Sequence, residues 1–361
     1  MILVAPPSLQ TFVKEVFEVS GFSTDDAVTA AGVLLQADLR GIDSHGVARL
    51  QGYLTQIEDN RINPNAQPKL TKDFLSVANM DADKSLGLVV TQKAMKIAME
   101  KAEKTGSGWV SIHHSSHFGI AAAHANLALE KDMIGFAMTN ASPLVSPAGG
   151  NKAMLGTNPI CVSIPAGEKP PFIMDMATTT VANGKLEIAA RQQKPIPHGW
   201  AQDKNGLSST DALSLQKGGT LLPLGSDLAH ASYKGYALGG WVDLMCGVLS
   251  GANYGPWVPP FVSFLQPAKS LPGKGIGHFV GAWKIEAFEE LPVFKQNMDK
   301  WIAAFEDVKP IDGVEKVMIP GEKERQFEKE RKSLGIPLNP KVWESLINIA
   351  EKTQVQLPKL L

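Results

Sequence analysis

The chain has 361 residues, 44% apolar and 20% charged, which gives one large domain or two ordinary ones and argues against disorder. Thirty-five basic residues against 36 acidic leave a net charge of −1, so bulk charge gives no reason to expect nucleic acid or an anionic membrane as the partner. Two cysteines, Cys161 and Cys246, cannot build a disulfide framework or a thiolate metal site, and they suit a reducing cytoplasm.

The opening run Met1-Ile2-Leu3-Val4-Ala5-Pro6-Pro7 lacks the basic and apolar regions of a secretory signal. Ser8 then reads as the cap of a helix with Leu9, Phe12, Val13, Val16 and Phe17 on one stripe, stopped by Gly21. Ser23 with Asp26 resembles a capping box and opens a second helix running to about Arg40. A third is expected after Asp43, with Val47, Leu50, Leu54 and Ile57 as its apolar stripe, ended by the Pro/Asn cluster at 62–68.

The middle changes character. Residues 109–112, 134–138, 160–164 and 172–174 are short apolar runs with polar or Gly/Pro punctuation, and they read as buried strands. An Ala-rich helix over 120–131 joins the first two, which puts functional residues in loops at strand ends. The longest apolar stretch, residues 236–252, contains Asp243 and glycines. It falls short of the roughly 20 residues a spanning helix needs and reads as a buried helix. Residues 322–332 form a charge-dense helix, and Asn339-Pro340 starts another with Val342, Leu346 and Ile349 at helical spacing.

Several chemistries are excluded. There is no G-x-G-x-x-G, the nearest run (273–277) being followed by His278, and no phosphate-binding G-x-x-x-x-G-K-[ST]. There is also no H-E-x-x-H, no tyrosine with a lysine four residues on, and no G-x-S-x-G.

Five constellations remain. In Asp43-Ser44-His45-Gly46-Val47-Ala48-Arg49, Asp43 as N-cap would place Ser44 and His45 in the first helical turn, with His45 and Arg49 on one side. Histidine exchanges protons near neutrality, guanidinium grips a carboxylate with two bonds, and Ser44 can orient the imidazole. The plainer alternative is a capped surface helix. His113-His114-Ser115-Ser116-His117-Phe118-Gly119 lies before a helix start whose N–H groups suit a phosphate. His114 and His117 invite a metal, but no nearby carboxylate completes a site, so no metal is expected. The loop from Thr139 to Pro143 and the run from Gly149 to Pro159 let a backbone approach a ligand, or serve only as turns. Met174-Asp175-Met176-Ala177-Thr178-Thr179 with Asn183-Gly184-Lys185 offers a carboxylate and hydroxyls at a strand end, or is an ordinary strand end. Tyr233-Lys234-Gly235 precedes the apolar helix and is otherwise a solvated loop.

Together, in this order, these runs resemble the malate/L-lactate dehydrogenase family of the second type, which also holds ureidoglycolate, sulfolactate and diketogulonate oxidoreductases and a cyclic-imine reductase. The matching stretches are D-S-H-G-x-x-R (43–49), S-H-F-G (116–119), G-G-N-x-x-M-L-G-T-N-P (149–159), D-M-A-T (175–178) with Gly184-Lys185, L-P-L-G (222–225), Y-K-G (233–235) and Pro320-Gly321-Glu322. Ala153 stands where many members have proline, and residues 226–232 are longer than the usual connection.

The elements in chain order suggest a helical domain built from both termini around a central α/β domain, dividing the chain into residues 1–75, 76–300 and 301–361. The resemblance implies that the α/β fold is a non-Rossmann mixed-sheet domain binding NAD or NADP. It also implies a homodimer with the active site near the subunit interface, acting on a small carboxylate. His45 then looks like the proton donor and acceptor, with Ser44 as its relay partner and Arg49 and Thr157 touching the substrate. In the ureidoglycolate branch the residue matching His117 is the base. His117, Phe118, Gly119, Ile120, Ala121, Ala141, Ile173, Met174, Asp175, Met176, Ala177, Thr178, Thr179, Tyr233, Lys234, Pro320, Gly321 and Glu322 look like cofactor contacts.

The expected reaction is hydride transfer between a nicotinamide and C2 of a 2-hydroxy or 2-oxo acid such as malate or lactate. The alternatives are a ureidoglycolate dehydrogenase, a cyclic-imine (piperideine-2-carboxylate) reductase, or a non-catalytic binder on this scaffold. Lys185 bears on that choice. In the resemblance, lysine there marks hydroxy-acid enzymes and aspartate the imine reductase, because a cation suits a forming alkoxide.

Overall fold

Two prolines decide where the first helix starts. The computed structural model describes residues 2–361. After β1 (Ile2–Val4), α1 (Pro6–Val19) carries Pro6 and Pro7 in its first turn, where a missing N–H costs nothing. Ser8 is therefore inside the helix rather than its cap, and its hydroxyl accepts the Lys359 N–H at 2.8 Å. In α2 (Thr24–Leu39) Ser23 is the N-cap and takes the Asp26 N–H.

Asp43, in contrast, caps no helix. Residues 40–46 turn irregularly, Val47–Arg49 is one 3-10 turn, and only then does α3 (Leu50–Glu58) begin. The cause is Asp38, buried on α2. Its carboxylate accepts the Val47 N–H at 2.8 Å and presses against Gly46, where a Cβ would stand 1.9 Å from it. Asp43 pairs instead with Arg331.

The central strands are β2 (Lys69–Asp73), β3 (Val77–Asp81), β4 (Ser107–Ser115), β5 (Met133–Thr139), β6 (Ile160–Ile164) and β7 (Phe172–Met176). Between them lie α4 (Gly87–Thr105) and α5 (Ala122–Ala125). The helix expected over 120–131 is thus a single α turn followed by a 3-10 segment, Asn126–Lys131. Then come α6 (Asn183–Arg191), the small strands β8 (Ala201–Gln202), β9 (Ser208–Ser209) and β10 (Thr220–Leu221), α7 (Ser232–Asp243) and β11 (Ile276–Lys284). α8 (Leu291–Glu306) runs through residue 300, and α9 (Glu322–Leu334), β12 (Ile336–Leu338) and α10 (Pro340–Thr353) complete the chain.

The main sheet has the order β2-β3-β4-β11-β5-β6-β7, with only β3 and β4 parallel. Strand alternation assigns its faces. Val110, Ile112, Val280 and Ala282 share a core with Ala94, Met95 and Ala98 of α4. Trp109, Phe136 and Phe279 face the other way, toward Val242 and Cys246. Gly281 is required there, since a Cβ would meet the Trp109 ring at 2.2 Å.

The termini do return to each other. β1 pairs antiparallel with β12, and α1, α2, Leu346 and Ile349 share one apolar core. Asn339 caps α10, accepting the Lys341 N–H. A further core, with Leu144, Leu155, Leu186, Ala201 and Leu221, ties the 149–159 run to α6 and the β10-β8-β9 sheet.

The apolar stretch 236–252 is helical as far as Val248, α7 continuing as a π turn at Leu244–Val248, but it is buried on one face only, through Val242 and Cys246. Tyr236, Trp241, Leu244, Val248 and Leu249 are all exposed. Beside them a groove lined by Phe74, Trp109, Phe279 and Trp283 opens on the same face of the sheet. Among the described residues, no helix is long and apolar enough to cross a membrane.

Candidate active site

The turn that Asp38 holds against α2 delivers three side chains to one place. Ser44 Oγ lies 2.8 Å from His45 Nδ1. Arg49 folds back, its Nε donating to the Ser44 carbonyl at 2.6 Å. The His45 ring stacks on His117 from the loop after β4, with centroids 5.7 Å apart and 25° between planes. Burial pushes the His45 pKa down to about 4, and the Arg49 charge adds to it. Burial also lowers His117 well below the usual range, with the charges of His45 and Arg49 next. Both rings are neutral at pH 7.

The His117 tautomer follows from its partners. Its Nδ1 accepts the Gly119 N–H at 3.3 Å and lies 2.7 Å from the Tyr53 hydroxyl, so the ring proton sits on Nε2. Phe261 closes the cluster, 4.6 Å from the His117 ring, 5.1 Å from that of Tyr53 and 5.9 Å from the Arg49 guanidinium. Tyr53, Phe261 and Asp38 had no signal in the sequence beyond being apolar or helical positions.

α6 forms the adjoining wall. Gly184 abuts Ser44, where a Cβ would stand 2.6 Å from the Ser44 Cβ. Lys185, one residue on, is exposed. Thr157 is half-buried, and its carbonyl accepts both the N–H and the hydroxyl of Thr178, which docks the 149–159 run on the end of β7. Asn158 holds Ala141 by accepting its N–H.

The segments expected to touch the cofactor lie along β7 and at the start of α7. Asp175 accepts the Ala122 N–H at 2.9 Å, joining β7 to the loop that carries His117, Phe118, Gly119, Ile120 and Ala121. The Ile173 N–H donates to the Pro320 carbonyl, and Gly321 lies against Ile173. Glu322 opens α9 and accepts the Ile319 N–H. Tyr233 and Lys234 stand exposed at the start of α7, whose Gly239 packs on Thr178.

Two expectations need correction here. α5 is a single turn and Asp175 already takes its first N–H, so it offers no helix-start phosphate site. A carboxylate does lie near the histidine run. Asp81, opposite His113 in the parallel β3–β4 pair, is 2.9 Å from His114 Nδ1 and 3.6 Å from His113 Nε2. His117 is turned to His45 instead, and among the described residues no three His, Cys, Asp or Glu groups converge as metal ligands.

Comparison with known proteins identifies the family. The family described as Malate/L-lactate dehydrogenase matches residues 4–347. A malate dehydrogenase of Pyrococcus abyssi is 39% identical over 98% of this chain and 96% of its own. A malate/(S)-sulfolactate dehydrogenase of Methanothermus fervidus is 37% identical over 99% of both. The solved malate dehydrogenase of Pyrococcus horikoshii superposes with a TM-score of 0.89 at 35% identity, covering 98% of this chain and 96% of that one. The fold and these full-length relatives together define an oxidoreductase acting on a 2-hydroxy acid. The chain belongs to the malate/L-lactate dehydrogenase family.

Proposed function

We propose that this protein interconverts 2-hydroxy and 2-oxo carboxylates with NAD or NADP, malate and lactate being the leading substrates. The observation that carries the reading is the His45–His117 stack beside Arg49, two neutral imidazoles next to one guanidinium. Arg49 takes the substrate carboxylate on its fork. In oxidation, neutral His45 accepts the alcohol proton, with Ser44 steadying its Nδ1. In reduction it returns that proton to the forming alkoxide. His117, with its proton on Nε2, donates a hydrogen bond to the same oxygen.

A nicotinamide bound here supplies or accepts the hydride. The residues at the end of β7 fit such a group. Asp175 is open to solvent and suits ribose hydroxyls. Arg40 nearby pairs with Glu328 at 3.4 Å through Nη1 but keeps a buried Nε without a hydrogen-bond partner, and its charge is felt by both Asp175 and Arg325. Two guanidiniums and a carboxylate suit a dinucleotide's phosphates and sugar. The exposed apolar face of α7 and its neighbouring groove supports a homodimer.

Lys185 favours an oxo acid over a cyclic imine. Side-by-side rates for pyruvate, oxaloacetate and piperideine-2-carboxylate, each with NADH and NADPH, test the reading. An oxo acid is expected to be reduced fastest. Imine reduction as the fastest reaction would move the protein to the imine-reductase reading, and no turnover with any of them would leave a binder.

A further inference from the structure

Arg49 is already engaged in the free protein. Its Nη2 lies 3.6 Å from Glu187 Oε2 on α6, and the same oxygen is 3.8 Å from Arg191 Nη2. Asn183 Nδ2 donates to the other Glu187 oxygen at 2.8 Å. Glu187 is thus held from within its own helix, four residues from each partner, and among the described residues its carboxylate reaches out of α6 only toward Arg49. The Nε of Arg49 is committed to the Ser44 carbonyl, so a carboxylate ligand must use the outer edge of the guanidinium, where Glu187 sits. These groups line one cavity of 710 Å³ that also reaches Ser44 and Lys341.

We propose that Glu187 is a built-in competitor for the substrate's carboxylate. It clamps Arg49 when substrate is absent, yields that position to the incoming anion, and stays on α6 with Arg191 and Asn183 while displaced. This rests on Arg49 being the carboxylate-binding residue. Two carboxylates cannot share one guanidinium edge without repulsion, so the clamp raises the concentration of substrate needed to load the site. Glu187 is a positioning residue here, acting through Arg49. The pair is partly exposed, which limits the competition to a modest factor.

Glu187→Gln removes the charge and keeps the shape. The KM for the oxo acid is expected to fall by about three- to tenfold, while the KM for the nicotinamide cofactor stays. Arg191→Gln is expected to do the opposite, because Glu187 deprived of its second cation rests harder on Arg49. A merely structural role would move both variants the same way. A second readout needs no turnover: phenylglyoxal labelling of Arg49 in the free protein, followed by mass spectrometry, should be faster in Glu187→Gln than in wild type. An unchanged or raised KM, or wild-type labelling of Arg49, overturns the proposal. Faster labelling in a protein that reduces no oxo acid would keep the clamp and sink the substrate reading instead.

Discussion

At the scale of single residues, burial holds the His45 and His117 rings neutral. An exposed histidine would be half charged near pH 6.5, whereas His45 stays neutral down to about pH 4. With His45 as the proposed base, oxidation of the hydroxy acid needs the neutral ring, so kcat/KM in that direction is expected to stay level from pH 8 to about 5 and to fall only toward pH 4. A pH-rate profile breaking near 6.5 would show that burial does not control this group. The same shift acts on stability. The unfolded chain takes up the His45 proton near pH 6.5 and the folded chain only near 4, so this contribution is lost as pH falls across that window. His45→Ala is expected to lower turnover by about 10² to 10⁴, the usual range for a general acid or base, with cofactor affinity retained. Near-normal turnover in that variant, with loss in His117→Ala, would reverse the two roles.

At the scale of elements, α6 meets the His45 turn through a missing side chain. Alanine normally stabilises a helix over glycine by about 0.5–1 kcal/mol. At Gly184 the added methyl would sit 2.6 Å from the Ser44 Cβ and drive α6 away from the turn. Overpacking of this kind costs about 1–3 kcal/mol, so Gly184→Ala is expected to lower the melting temperature despite its helix propensity. Displacing Ser44 also moves His45 and Arg49, and kcat/KM should drop at least about tenfold. A variant that melts higher and turns over normally would mean that the contact does not seat the helix.

At the scale of the molecule, the sheet is covered unevenly. One face is sealed by α4 and α5. On the other, Trp241 is 41% exposed beside the groove formed by Trp109, Phe279 and Trp283. A contiguous apolar surface of this kind is typical of a subunit interface. Trp241→Glu would place a charge at its centre, and sedimentation is expected to show a dimer for the wild type and a monomer for the variant. A wild-type monomer would leave the apolar face without this explanation.

Much of this protein is local, and what is local was legible in the chain. Ser23 and Asn339 mark their helices because a cap bonds an N–H two or three residues away. The four expected strands announce themselves because an apolar run bounded by punctuation is a local property, although β7, at the sheet edge, is only partly buried while the other three lie mostly inside. The D-S-H-G-x-x-R and G-G-N-x-x-M-L-G-T-N-P runs could be read as candidate site segments for the same reason. Partnerships across long loops could not. Tyr53 reaches His117 over 64 residues, Phe261 closes on both from far down the chain, and Asp38 overrides the helix start expected at Asp43. Nothing in the spacing of either partner encodes such contacts, because they exist only once the loops between them have closed. The apolar run at 236–252 makes the same point. Its hydrophobicity predicts that it will be covered, but only the tertiary structure shows that its own chain leaves one face of it bare.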